Sequence, residues 1–283
     1  MTDFGAKNIF HKYSGAENTF LLTWTSFWKM EADQRNKFVI RLCSPLTGLN
    51  VDGLVGLEPI ANSKSEFRWH FYNADGSLAE MCGNAARCVS QFLLAEFPDQ
   101  KEIQLHTKNG PLWGTGWGKN QIEVKFSTPI RQVECNGHAV VWSGVPHLLV
   151  AASQSEFESE TGRMNLRARA RDLRGLNPFT ETVGTNVTFF EKRKDKKYFA
   201  VTFERGVEDF TQACGTGAIA VAHFVSGDKP DSERKNTSVE MPGGWLEVEF
   251  KDGFTYLRGD AIHHFSADLV LPALTTSQKE DAK

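Results

Sequence analysis

The chain reads as an α+β protein made of two similar halves, and three observations carry that reading. A nine-residue stretch occurs twice, 132 positions apart: Met81-Cys82-Gly83-Asn84-Ala85-Ala86-Arg87-Cys88-Val89 and Ala213-Cys214-Gly215-Thr216-Gly217-Ala218-Ile219-Ala220-Val221. Cys82, Gly83, Ala86, Val89 and Phe92 recur as Cys214, Gly215, Ala218, Val221 and Phe224. At the same offset Phe71 recurs as Phe203, each time closing an aromatic and β-branched run. Around each copy, short strand-like runs alternate with turn residues, so every half reads as several strands about one central helix.

In chain order, Phe20–Trp24 and Phe38–Leu42 read as strands because they are short apolar runs. Phe67–Tyr72 is the next strand, ended by the turn residues Asn73-Ala74-Asp75-Gly76. A helix follows from Gly83 to Glu96 and stops near Pro98. Ile103–Thr107 and Ile122–Phe126 are strands, with Asn109-Gly110 as a hairpin turn after the first. Ser127-Thr128-Pro129 reads as a linker.

The pattern then restarts with Ala139–Trp142 and a Gly144-Val145-Pro146-His147 turn. Residues 156–174 are charge-rich, with Leu166, Ala170 and Leu173 at helical spacing. Val187–Phe190 and Tyr198–Phe203 are strands, and the second Cys-Gly helix spans Gly215 to Ser226. Ser238–Met241, Trp245–Phe250 and Phe254–Arg258 are strands around the Pro242-Gly243-Gly244 and Asp252-Gly253 turns. Thr275–Lys283 is a polar tail, expected to be disordered.

Composition narrows the function. With 283 residues, 40% hydrophobic and 24% charged, the chain can bury one large core or two. A net charge of -3 gives no bulk field for nucleic acid or an acidic membrane. No apolar run approaches the ~18 residues of a membrane span, and Met-Thr-Asp-Phe-Gly-Ala-Lys is not a secretory signal. The expected location is therefore cytoplasmic. Five cysteines, an odd number, point to reduced thiols.

The Cys-Gly turns carry the chemistry. A cysteine just ahead of a helix sits where free backbone N–H groups and the helix dipole favour an anion, which is expected to lower its pKa. The same N–H groups of Gly83-Asn84 and Gly215-Thr216 could hold one carboxylate between two helix starts. Two thiols facing each other across a pseudo-twofold cleft are what a reaction needs if it removes a proton from one face of a carbon and returns it to the other. The plainer reading is a pair of buried helix-start cysteines preserved for packing. Cys82 and Cys88 lack the spacing of a zinc site, and neither copy has the C-x-x-C of a redox dithiol. A single thiol nucleophile with His147 as base would leave the second cysteine unexplained. The arginines at 163, 167, 169, 171 and 174 fit an anion site or, more plainly, the solvated face of a helix.

With these turns in hand, the chain resembles the diaminopimelate epimerases, cofactor-independent amino acid epimerases. The matching segments are Phe71-Tyr72-Asn73-Ala74-Asp75-Gly76-Ser77, Met81 to Cys88, Gly184-Thr185-Asn186-Val187, Glu204-Arg205-Gly206-Val207-Glu208-Asp209, Ala213 to Ala218, and Pro242-Gly243-Gly244. The resemblance implies two pseudo-symmetric domains, each a barrel-like, mostly antiparallel sheet wrapped on a central helix. The implied bounds are residues 1–126 with Cys82 and residues 127–263 with Cys214, the segment 264–283 returning to the first domain. It further implies that Cys82 and Cys214 are the acid/base thiols and that His147 and Glu204 tune their protonation. By the same resemblance Asn18, Asn73, Asn186 and Arg205 bind the distal end of the substrate, while Gly83, Asn84, Gly215 and Thr216 hold its α-carboxylate.

The implied reaction converts LL-2,6-diaminopimelate to the meso form, in lysine and peptidoglycan precursor synthesis. It needs no cofactor and no metal. The expected partner is a small-molecule amino acid, with no nucleic acid and no membrane; a homodimer is allowed for. Three positions depart from the family pattern: Gly15-Ala16-Glu17-Asn18-Thr19-Phe20 for Gly-x-Gly-Asn-Asp-Phe, Val145 for an asparagine, and Ala85 for a glycine. They bear on specificity and leave open a racemase of glutamate, proline or hydroxyproline. A silent amino acid-binding or thiol-sensing protein is the reading from outside catalysis.

Overall fold

The computed structural model describes residues 8–79, 81–179, 184–193, 197–227, 229–234 and 236–269. The tail from Thr275 lies outside the described residues. Among them, seventeen strands form one continuous sheet that coils twice, once around each central helix.

The first coil runs in order through Ile9–Gly15, Asn18–Thr23, Gly53–Pro59, Glu66–Asn73, Glu102–Thr107, Gly110–Gly118 and Gln121–Phe126. The second runs through His138–Trp142, Pro146–Ala151, Asn186–Lys192, Lys197–Glu204, Thr237–Met241, Gly244–Lys251 and Phe254–Asp260. Successive pairings in the first coil are antiparallel, parallel, antiparallel, parallel, antiparallel, antiparallel. The second coil repeats that series without a change. The register repeats as well: Val55 pairs with Phe71, and Val187 pairs with Phe203, each 132 residues further on. The duplication read from nine residues thus extends through the whole hydrogen-bonded sheet.

Outer strands complete the symmetry. Ile262–Asp268 lies antiparallel on Ile9–Gly15, and Arg131–Cys135 lies antiparallel on His138–Trp142. The coils join where Gln121–Phe126 pairs with Phe254–Asp260. Arg258 locks this seam, donating to Glu123 and Glu249 and lying over the Trp117 ring.

Each central helix is apolar on nearly every side because strands touch it all round. In Gly83–Glu96 every residue from Gly83 to Ser90 is buried, as are Phe92 and Leu93. In Gly215–Ser226 burial runs from Gly215 to Ala222. Small residues at these starts (Ala85, Ala86, Gly217, Ala218) let the strands approach closely. Phe92 fills the wider part of the first coil against Tyr13 and Trp24, a burial worth about 1.5–3 kcal/mol.

One expected strand is a helix. Phe38–Leu42 belongs to Ala32–Cys43, whose Phe38, Val39 and Cys43 are buried. Short apolar runs cannot be assigned by periodicity alone. Here Phe38/Leu42 and Val39/Cys43 are i,i+4 pairs, while Lys37 and Arg41 carry the polar side and Arg35 lies over the Tyr72 ring. Pro146 and His147, expected in a turn, begin a strand. Strands Ile9–Gly15, Gly53–Pro59 and Arg131–Cys135 were not expected; glycine and charge interrupt their apolar patterns. The arginine-rich helix, Glu160–Leu173, buries Leu166 and Ala170 and turns its arginines outward. Arg167 pairs with Asp209 through two hydrogen bonds of 2.9 and 3.0 Å.

Candidate active site

The two central helices meet start to start. A Cβ added to Gly215 would lie 3.4 Å from Gly83 Cα, and one added to Gly83 would lie 3.6 Å from Gly215 Cα. Leu257 caps the contact, its Cδ2 lying 2.9 and 2.8 Å from the same two positions. The separations between the two glycine positions are ordinary van der Waals contacts, and the crowding that a side chain at either would meet comes from the Leu257 methyl. Each cysteine is one residue earlier, so each cysteine Cα stands one ~3.8 Å step from the contact.

Both cysteines hold the N-cap position with extended backbone, at φ -147° for Cys82 and -127° for Cys214. Neither helix has a side-chain cap, so its first N–H groups remain for an anion. Cys82 keeps partial exposure while surrounded by protein, and Cys214 is buried; both are free thiols.

Their protonation runs opposite to the expectation from helix position. Burial pushes the Cys82 thiol up to about 11, with the Glu204 carboxylate adding to the rise. The backbone N–H groups of Ala85 and Asn84 and the Arg87 guanidinium act against it but do not prevail. Burial likewise raises Cys214 well above the ordinary thiol range, again with Glu204 adding and with Thr216 and the Gly217 N–H opposing. Helix-start stabilisation is worth a kcal/mol or so, whereas desolvating an anion costs several. In the resting protein both thiols are therefore protonated at neutral pH.

Glu204 ends its strand against Cys214. Its own carboxyl is raised by burial, while hydrogen bonds from Thr211 and Cys214 hold it down. Thr211 Oγ1 donates to Glu204 Oε1 at 2.6 Å. Cys214 Sγ also lies 3.3 Å from Thr216 Oγ1, and its backbone N–H donates to Met241 Sδ at 3.2 Å.

A chain of buried hydroxyls leads from Cys214 to His147. Thr216 Oγ1 is 2.9 Å from His147 Nε2, and His147 Nδ1 is 2.9 Å from Thr188 Oγ1, which contacts Thr202 Oγ1 at 3.1 Å. The Arg205 backbone N–H donates to Asn186 Oδ1 at 2.8 Å, which leaves the Asn186 NH₂ facing His147 Nε2 at 3.4 Å. An NH₂ donates only, so Nε2 accepts and the ring proton sits on Nδ1. Thr216 then donates to Nε2, and its oxygen lies beside the Cys214 sulfur. His147 is fully buried, and burial first, with Arg205 second, lowers its pKa to about 3. It is neutral throughout the neutral range.

The sequence-derived residues divide into three groups. Cys82, Gly83, Asn84, Cys214, Gly215, Thr216, His147, Glu204 and Asn186 form one connected cluster, with Arg205 bonded to it through its backbone. Asn18 reaches the cluster differently: its Nδ2 donates to the Ala213 carbonyl at 2.8 Å, where Asn84 Nδ2 also donates at 2.9 Å. The side-chain NH₂ groups of both asparagines thus tie the first coil to the residue ahead of Cys214, and Asn84 keeps its backbone N–H for an anion. Asn73 makes its side-chain hydrogen bond locally, to Ser77 at 3.0 Å. Its neighbour Ala74 donates to the Asp52 carbonyl, and the Asp52 carboxylate is near enough to raise Glu204.

Sequence reasoning missed several contributors. Ser143 Oγ donates to the Thr216 carbonyl at 2.8 Å and holds the second helix start. Thr188, Thr202, Thr211 and Met241 carry no sequence signal, since each is an ordinary strand or loop residue. Three or more metal-ligating side chains are not gathered anywhere among the described residues.

Comparison with known proteins agrees with this geometry. Residues 10–128 and 139–264 match the family model described as diaminopimelate epimerase. The diaminopimelate epimerase of Aquifex aeolicus is 31% identical over 92% of this chain and 97% of its own. That of Helicobacter pylori strain P12 is also 31% identical, over 89% and 93%. Among solved structures, a hydroxyproline epimerase from Agrobacterium vitis, with bound trans-4-hydroxy-L-proline, superposes with TM-score 0.67 at 15% identity, covering 93% of this chain and 91% of that one; at that identity the likeness concerns the fold. The match of sequence over both coils, carried on a duplicated sheet with a cysteine at each helix start, places this chain in the diaminopimelate epimerase family of isomerases.

Proposed function

We propose that the protein epimerises LL-2,6-diaminopimelate to the meso form by two-thiol acid/base chemistry, without a cofactor, in lysine and peptidoglycan precursor synthesis. The observation that supports this is the Gly83–Gly215 contact, which brings the two cysteine-bearing helix starts together. The two domains are residues 1–126 with Cys82 and residues 127–263 with Cys214, and the described part of the segment from 264 pairs with the first strand of the first domain.

The α-carboxylate sits on the free N–H groups of Gly83, Asn84, Gly215 and Thr216. Two converging helix dipoles then stabilise the negative charge that develops beside Cα when the proton leaves. Activation begins at Glu204, whose raised carboxyl pKa suits it to take the thiol proton of Cys214: the S–H bond breaks, and the proton goes to the carboxylate oxygen. The resulting thiolate is a strong base because its pKa is high, and it removes the α-proton. Cys82, still a thiol, delivers its own proton to the opposite face. The Thr216–His147 chain fixes the Thr216 oxygen beside the Cys214 sulfur and, because His147 stays neutral, adds no competing positive charge. For the reverse direction the thiols exchange roles, and the pair titrates as one system.

Arg205, Asn18, Asn73 and Asn186 recognise the distal amino acid group. Arg205 is the only one with a charge to offer a carboxylate, and a planar guanidinium suits a bidentate pair. Distal binding contributes the energy that holds the coils closed on the reacting carbon.

A panel of amino acids in deuterated water tests the reading. Diaminopimelate is expected to take deuterium at its α-carbon faster than glutamate, proline or hydroxyproline. Faster labelling of one of those three would move the assignment to that substrate; binding without labelling would make the protein a silent binder.

A further inference from the structure

We propose that Arg87 is a positioning residue for the reaction: it acts through Asn84 to hold the start of the Cys82 helix against the segment that leads into Cys214. The proposal rests on the proton-transfer reading above for its kinetic part only.

Arg87 is fully buried, in the second turn of the helix that Cys82 begins. Its Nε donates to the Asp260 carbonyl at 3.0 Å and its Nη2 donates to Asn84 Oδ1 at 3.0 Å. Because Oδ1 is taken, the Asn84 NH₂ must face the other way, and it donates to the Ala213 carbonyl at 2.9 Å. One guanidinium thus ties three segments: the seam strand at Asp260, the first helix start, and the residue ahead of Cys214. Two glycines make the space for it. A Cβ on Gly15 would lie 3.3 Å from Nη2, and one on Gly259 would lie 3.0 Å from Nε.

As a stabilising device this arrangement is poor. A buried charge normally has a hydrogen-bonded carboxylate partner; here both hydrogen bonds go to neutral oxygens, and the Asp260 carboxylate favours the charge only through space. Nη1 is buried with no hydrogen-bond partner. A cation in the first turns of a helix also opposes the dipole. An apolar side chain of similar volume would avoid all three costs, which marks the residue as retained for the site. Its charge favours the Cys82 thiolate, though burial outweighs it.

The test compares Arg87→Met and Arg87→Lys with the unaltered protein in two assays. The first is carbamidomethylation of Cys82 at pH 8.5, followed by peptide mass spectrometry; it needs no substrate and stands whatever the substrate is. Arg87→Met is expected to slow it about tenfold through loss of the nearby charge, and Arg87→Lys to restore it within about threefold. The second is turnover of diaminopimelate. Both variants are expected to lower kcat, Arg87→Met by about 10²-fold, with KM changed less than about threefold, because a displaced helix start misplaces the thiol rather than the distal end. An unchanged or faster Cys82 reaction in Arg87→Met means a merely structural role and overturns the proposal. Should that variant not fold, Arg87→Lys decides: an ammonium cannot span both the Asp260 carbonyl and Asn84, so a wild-type kcat in it overturns the proposal equally.

Discussion

Adding one methyl group where the helices meet tests the geometry without touching an acid or a base. In Gly215→Ala the new Cβ falls 2.8 Å from Leu257 Cδ2 and 3.4 Å from Gly83 Cα. Carbon atoms prefer separations of about 3.5–4.0 Å, so the leucine methyl must retreat by roughly 1 Å. Leu257 is fully buried in a close-packed core and has little room to do so. Overpacking of this kind costs about 1–3 kcal/mol. For a chain this long that is a melting-temperature drop of roughly 2–12 °C. The larger effect is on rate, because relief by separating the helix starts moves one thiol away from the carbon, and a ~1 Å misplacement costs on the order of 10²-fold.

The assay pairs thermal melting with α-deuterium incorporation, and Gly116→Ala, whose added Cβ meets no atom within 4 Å, is the control. Gly83→Ala meets the same Leu257 methyl at 2.9 Å. The double variant should therefore show a coupling of about 0.5–3 kcal/mol rather than simple addition. Full turnover and an unchanged melting temperature in Gly215→Ala would refute the argument that this contact sets the spacing of the thiols.

Other outcomes follow from the same site. Cys82→Ser and Cys214→Ser each keep the fold, read by circular dichroism, and each lose epimerisation by at least about 10³-fold; near-native turnover in either would remove that thiol from the mechanism. Arg205→Met raises KM for diaminopimelate by at least about tenfold while circular dichroism stays native, since a charge-assisted pair is worth roughly 1.5–3 kcal/mol; an unchanged KM would end its distal role. His147 has a folded pKa of about 3, below its unfolded value of 6.5, so the unfolded chain binds the extra proton between these limits. Stability therefore rises with pH across that window and falls as the solution is acidified through it. His147→Gln should flatten this acid limb in melting curves from pH 4 to 7, and a limb of unchanged slope would contradict the burial argument.

Much of this was legible in the chain because duplication writes the same physics twice. Cys82 and Cys214 share Gly, Ala and Val at equal spacing, and those positions are buried in both helices, whereas Phe92 is buried and its counterpart Phe224 is exposed. The end of the first helix at Glu96 followed from Pro98, and the hairpin at Thr107 and Gly110 from Asn109-Gly110. Phe38–Leu42 misled because four apolar residues around Arg41 fit a strand and a helix equally, and tertiary packing chose the helix. The thiol pKa direction could not be read either: helix position is a local property, but desolvation depends on what strands from both coils cover. Arg87 gave no signal for a similar reason. Its burial depends on Gly15 and Gly259, which lie far from it in sequence, and only the folded sheet brings those two positions beside its guanidinium. From sequence, Asn84 offered only its backbone N–H as an anion donor; the engagement of its side chain with Arg87 and the Ala213 carbonyl carried no sequence signal.

The central claim is that two different groups handle the proton, one on each face of the carbon. It is tested most directly by running LL-diaminopimelate bearing ordinary hydrogen in deuterated water and analysing substrate and product at low conversion. The account predicts meso product carrying deuterium at the inverted carbon, with unreacted substrate still unlabelled, because the incoming proton comes from a second thiol already exchanged with solvent. Product that retains the substrate's own hydrogen, alongside substrate that gains deuterium, would mean a single base serves both faces and would contradict it.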